Sequence, residues 1–382
     1  MEEAAPAVPS VSWSEVVARL DRDIADGEAR AGERLDDWVR AEAVAGQWKS
    51  RARLSGRYDD YAKAEFWIAS AFGHAPEGSG PWLARARLHF TLHRLHRVLP
   101  DLERAEQRLL PDDHDRAAFA LLRADLAFQQ GRYEEARVGI DASLALHRDP
   151  AAVFSRAQLL QHTGDPDGAL RLFDEAEGMY LTPPPETRAW LDLQRGLLEL
   201  DRGRLDAAAA HYVAAERDLS GWWLIEEHQA EVLARSGSTD AALRAYEILI
   251  DRTGNPEFMD AAASILDARG DAAGAALQVT RARAAYDAQL ERYPEAAAGH
   301  ALRHFLEFGT DPAFTLDLAE RNAALRPNGE ALTLLAKAQL AAGRPGPALE
   351  TIERVLATAW RSAESDEVAA EIRAARALTA PE

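Results

Sequence analysis

The chain has 382 residues, 47 % of them hydrophobic, enough for a continuous core and too many for a wholly disordered polymer. Lys and Arg number 44 against 63 Asp and Glu, a net charge of −19 that disfavours phosphate backbones and anionic membranes as partners and favours cationic ones. With no cysteine, disulfides, thiolate metal sites and cysteine nucleophiles are excluded, and no apolar run approaches the ~20 residues that span a bilayer.

Residues 1–12, "MEEAAPAVPSVS", read as a flexible tail. They have neither the basic start nor the apolar stretch of a signal peptide. A chain beginning naturally at Met1 is expected in the cytoplasm, and one trimmed of a leader in the periplasm. "WSEVVARLDRDIADGEA" (13–29) predicts a leading helix. "GHAPEGSGPW" (73–82) joins two helices and follows no strand, so it is a loop and not a phosphate cradle. In "RLHFTLHRLHRVL" (87–99), Arg87 and Phe90 fall on an inner face, His93 at a turn, and His89 and His96 on packing or capping positions.

From residue 131 one phrase recurs: "GRYEEARVGI" (Gly131), "GDPDGALRLF" (Gly164), "GRLDAAAAHY" (Gly203), "GSTDAALRAY" (Gly237), "GDAAGAALQV" (Gly270) and "GRPGPALETI" (Gly343). Each glycine is followed five residues on by alanine (136, 169, 208, 242, 275, 348) and four later by a larger apolar residue (Ile140, Phe173, Tyr212, Tyr246, Val279, Ile352). Weaker copies turn at Arg57, His93 and Thr310. Between turns the apolar residues recur at three and four, a helical period. Glycine supplies the left-handed backbone that ends a helix. Asp165-Pro166 and Asn255-Pro256 supply helix starts. No stretch alternates with period two, so no sheet is expected. "SDEVAAEIRAARAL" (365–378) predicts a polar-faced closing helix.

This pattern resembles the tetratricopeptide repeat (TPR), in a protein of bacterial type, over about residues 43–357; the match is fullest at 191–216, where Gly196, Gly203, Ala208, Tyr212 and Ala215 take the family's contact and turn positions. The bulky residue usual early in the first helix is often absent. The resemblance implies an all-α, right-handed superhelix of about nine helical hairpins with a helix at each end, one domain over 13–378. It also implies a concave groove lined by positions about ten, six and three before each turn. Carried onto this chain, those positions give Leu121, Asp125 and Phe128; Phe154, Gln158 and Gln161; Leu193, Leu197 and Leu200. They continue with Glu227, Glu231 and Ala234; Asp260, Ser264 and Asp267; His300, His304 and Glu307. Of the nine tryptophans, Trp190 and Trp223 are placed toward the groove.

The groove is thus expected to run from apolar and aromatic to acidic, suiting a protein or peptide partner with hydrophobic anchors and a basic segment. Three readings stand open for the acidic-histidine patch: solvated helix surface, a groove for a basic peptide, or a divalent metal on His300, His304 and Glu307. No P-loop, dinucleotide-binding glycine run, G-x-S-x-G or H-E-x-x-H is present. The expected function is a non-catalytic interaction scaffold without a cofactor; the alternative is a metal-binding accessory protein.

Overall fold

The computed structural model describes residues 11–34, 36–108 and 111–379. The expected tail therefore lies mostly outside the described residues, but Val11 and Ser12 are ordered. Contrary to the expectation of no sheet, strand β1 (Val11–Ser12) pairs in parallel with β2 (Leu219–Ser220). A capping box accounts for the ordering. The Ser12 hydroxyl accepts the Glu15 N–H at 3.2 Å and the Glu15 carboxylate accepts the Ser12 N–H at 2.9 Å, so the chain enters α1 (Trp13–Glu33) extended.

Nine antiparallel hairpins follow among the described residues. They are α2 (Trp38–Ser55) with α3 (Tyr58–His74), α4 (Trp82–Thr91) with α5 (Val98–Arg108), and α6 (Asp113–Gln129) with α7 (Tyr133–Leu146). Next come α8 (Pro150–His162) with α9 (Pro166–Gly178), α10 (Pro185–Asp201) with α11 (Leu205–Asp218), and α12 (Trp223–Arg235) with α13 (Thr239–Thr253). The last are α14 (Pro256–Ala268) with α15 (Ala272–Arg292), α16 (Pro294–Phe308) with α17 (Pro312–Leu325), and α18 (Gly329–Ala341) with α19 (Pro345–Leu356). Helix α20 (Ala363–Thr379) closes the array.

The repeated residues do what their chemistry requires. All six repeat alanines are buried, none more than 7 % exposed, because each sits where its own hairpin's helices touch. Of the larger residues four on, all but the half-buried Val279 are core. A Cβ at Gly196 would lie 2.3 Å from the Tyr212 ring, so only glycine admits that side chain between α10 and α11. Gly131 ends α6 at φ 72°, and a Cβ there would meet the Pro327 carbonyl oxygen at 2.5 Å. His93 holds the same left-handed turn without glycine, at φ 55°. Asp165 and Asn255 cap α9 and α14 as expected, accepting the N–H groups of Gly168 and Glu257.

The Gly131–Pro327 approach reveals how far the superhelix winds: its distant parts meet. The Leu54 carbonyl accepts the indole N–H groups of both Trp13 and Trp223 at 2.9 Å, and Val16 shares a core with Leu193, Tyr212 and Trp222. Tyr58 stacks on Tyr293 with centroids 5.0 Å apart, and Arg292 pairs with Asp59. At the C-terminal end, the Gly329 N–H donates to the Tyr133 hydroxyl at 2.7 Å and the Arg361 N–H to the His162 carbonyl at 2.9 Å. Trp360 stacks on His162 at 4.6 Å and 6°. The first and last hairpins therefore close over the middle ones.

Candidate functional site

Closure turns the concave face into a chamber of about 1370 Å³. Helices α6, α8 and α10 present their first-helix faces to it, bringing Leu121, Asp125, Phe128, Phe154, Gln158, Gln161 and Trp190 together on one wall. Helices α1 and α2 add Val16, Leu20, Arg53 and Leu54, α4 adds Phe90, and the C-terminal end adds Trp360 and Arg361. Phe154 and Trp190 lie 6.3 Å apart, as do Trp190 and Trp222, so an aromatic strip runs along the wall. Aromatic faces of this kind hold apolar side chains at little ordering cost, since each ring has two side-chain torsions.

The other expected groove residues lie elsewhere. Leu193 is wholly buried and Leu197 half-buried beneath α1, because Val16 covers that face of α10. Trp223 is spent on the Leu54 carbonyl and packs against Phe258, while its neighbour Trp222 lines the chamber. Glu227 and Glu231 flank His228, whose Nδ1 lies 3.0 and 3.3 Å from their carboxylates. Burial opposes a charge on that imidazole, but the hydrogen bonds to the two carboxylates outweigh it and raise its pKa to about 9. Asp267 is exposed at the end of α14.

Helix α16 packs on α14 as a ladder of polar pairs: His300 with Glu257, His304 Nδ1 with Asp260 at 2.8 Å, and Glu307 accepting the Ser264 hydroxyl at 2.7 Å. His304 is 2 % exposed against Tyr286 and Phe305, which removes it from any groove surface. The ladder separates His300, His304 and Glu307 rather than gathering them. Among the described residues, two groups of three have ligand atoms all within 4.8 Å of one another, His114/His147/Asp149 and Glu227/His228/Glu231.

The chamber is not acidic. Six arginines (19, 53, 202, 303, 326, 361) and six carboxylates (23, 125, 186, 201, 330, 364) line it. Most of the arginines have partners; Arg19 meets Glu186 at 3.6 Å, and Arg303 reaches Glu330 and Glu364 at 3.1 and 3.3 Å. Near the α2–α4 side the balance tips positive. Lys49, Arg53 and Arg87 lie close enough to repel one another there, Asp149, Asp125 and Glu42 act on Arg87, and Arg53 sits over the Trp190 ring at 5.7 Å. Burial, then repulsion from Arg87 and Arg53, lowers the Lys49 ammonium to about 8. Burial likewise raises Asp125 to about 7, against the opposing effects of the Ser155 hydroxyl and Arg87. Lys49, Arg53 and Trp222 carry no signal in the sequence, because the repeat is weak before residue 131, where the register is loose, and because Trp222 precedes its helix.

Nine hairpins among the described residues, six of them with the same glycine–alanine turn, stacked in chain order with α6, α8 and α10 facing a common hollow, fix the architecture. The fold is a TPR-like α-solenoid. No family model and no curated protein matches the chain. Solved structures that resemble it are TPR proteins. A tetratricopeptide repeat protein from Parabacteroides merdae is 13 % identical over 76 % of this chain and 97 % of its own, with a TM-score of 0.39. Yeast Tom70 is 12 % identical over 94 % and 96 %, TM-score 0.43. The human IFIT1 dimer with m7Gppp-AAAA is 13 % identical over 97 % and 87 %, TM-score 0.49. The solenoid has no helix, among the described residues, long and apolar enough to cross a membrane.

Proposed function

We propose that the solenoid is a non-catalytic scaffold that captures a segment of another protein inside its chamber. The observation that supports this reading is the wall of Phe90, Leu121, Phe128, Phe154 and Trp190 facing a hollow large enough for several side chains. Preformed helices hold that wall, so the ordering cost of binding falls on the partner. The cluster of Lys49, Arg53 and Arg87 beside it favours a segment with an acidic group next to its apolar anchors, in place of the basic segment expected from the sequence.

Selection of a random peptide display library on the purified chain tests this. The expected outcome is enrichment of peptides with aromatic or large aliphatic residues next to Asp or Glu. Phe128→Ala/Phe154→Ala should abolish enrichment, and Lys49→Glu/Arg87→Glu should remove the acidic preference while leaving the apolar one. Failure of the parent to enrich any sequence family, or an unchanged family on the phenylalanine variant, overturns the reading.

A further inference from the structure

His114, His147 and Asp149 come from three different elements and meet at one point. His114 is in the first turn of α6, His147 follows the last residue of α7, and Asp149 caps α8. The antiparallel α6–α7 hairpin puts the start of one helix beside the end of the other, so the two imidazoles lie with centroids 5.0 Å apart at 81°. His147 and Asp149 are both extended (φ −151° and −127°), and residues two apart on an extended chain project to the same side. Pro150 follows Asp149 and holds it there, because a residue before proline is kept out of the helical region.

The ligand atoms of all three lie within 4.8 Å of one another. The edge of a tetrahedron with bonds of 2.0–2.1 Å is about 3.3 Å, a closure that exposed side chains can make by small rotations. Both imidazoles are exposed, and among the described residues neither ring takes part in a hydrogen bond or ion pair. Asp149 is committed through one oxygen only, Oδ1, which accepts the Ala152 N–H at 2.9 Å. Asp112, Asp113 and Asp115 flank His114, while Arg116 pairs with Asp113, and Arg148, between His147 and Asp149, pairs with Glu175. Arg87, on α4, acts electrostatically on Asp149.

We propose that His114, His147 and Asp149 form a binding site for a divalent transition metal of the zinc, nickel or cobalt class. Two imidazole nitrogens and one carboxylate oxygen suit those ions, not calcium or magnesium, and leave at least one position for water or a partner's side chain. The second cluster of three is a poorer host, because the His228 proton is held between Glu227 and Glu231 and an ion would have to displace it. The site lies beside the chamber, since Pro150 and Ala151 line the latter. A bound ion would tie the start of α6 to the α7–α8 connection at that rim. Nothing in this geometry depends on what the chamber captures.

The test uses the untagged full chain stripped with chelator. Titration calorimetry with zinc and cobalt should give one site per chain, with the visible absorption of cobalt bound to nitrogen and oxygen and a rise in Tm on adding zinc. His114→Ala and His147→Ala should each weaken binding tenfold or more and remove the Tm rise. Asp149→Asn keeps an equally good helix cap, so it should fold as the parent does and still bind at least tenfold more weakly. Absence of metal binding by the parent overturns the proposal. So does unchanged binding by His114→Ala/His147→Ala, which would place the ion on other histidines.

Discussion

Asp125 shows what it means for a carboxyl to face a chamber instead of open water. Burial raises its pKa from 3.8 to about 7, and Ser155 and Arg87 offset only part of that. The folded chain therefore holds this proton more tightly than the unfolded chain. Its contribution to stability is complete below pH 4 and is lost as pH rises toward 7. A rise of that size corresponds to about 4 kcal/mol at most, and the partly accessible side chain halves that, to about 2 kcal/mol. Asp125→Asn should match the parent in urea at pH 4.5 and exceed it by about 2 kcal/mol at pH 8. Equal differences at the two pH values would show that Asp125 is solvated. The same residue illustrates what a helical period discloses. Positions 121, 125 and 128 share a face on any straight helix, so their common wall was legible. Lys49 and Arg87 come together only through the packing of α2 and α4, which no local spacing encodes. Trp222 and Trp223 differ by one position, and a rotation of about 100° separates the indole that touches the chamber from the one that donates to the Leu54 carbonyl.

At the scale of an element, α16 carries polar residues in a spacing that suggests a ligand set and uses them to hold α14. The partners of His300, His304 and Glu307 are Glu257, Asp260 and Ser264, each one helical turn beyond the last. The face was therefore legible from sequence and its occupant was not, because a neighbouring helix and a ligand demand the same periodicity. The two histidines should respond differently to removal. His304 is 2 % exposed, and His304→Ala leaves a cavity among Tyr286, Phe305 and Phe308 and deprives Asp260 of its partner, for a loss of about 3 kcal/mol. The His300 side chain is 55 % exposed, so His300→Ala should change stability by about 0.5 kcal/mol or less despite its contact with Glu257. Urea midpoints decide the matter, and equal losses would mean that α16 is held as one uniform surface.

The hairpin count and the turns at 57, 93, 131, 164, 203, 237, 270, 310 and 343 follow from a repeat that each unit states for itself. Closure does not, because it pairs residues about 200 positions apart whose identities look like ordinary core or cap residues. In an open solenoid each hairpin touches its neighbours, stability is a sum of local terms, and unfolding starts at the ends. Here the C-terminal end is clasped to the middle. Gly329 donates to Tyr133, Asn328 to Gln129 and Arg361 to His162, and Trp360 lies against His162 and Tyr133. A Cβ on Gly329 would stand 2.1 Å from the Trp360 ring, so the indole occupies a place that glycine leaves vacant. Trp360 is 6 % exposed, and Trp360→Ala should cost about 3–5 kcal/mol. The larger consequence is in cooperativity. With the clasp intact, amides of α18–α20 should exchange with deuterium at rates comparable to those of α6–α9, because opening one exposes the other. In Trp360→Ala the last three helices should exchange through their own, cheaper opening while α6–α9 keep most of their protection. Protection of α18–α20 that is already far below that of α6–α9 in the parent, or that survives the substitution, would mean that the ends rest against the middle without holding it shut, and the chamber would then be an open groove in solution.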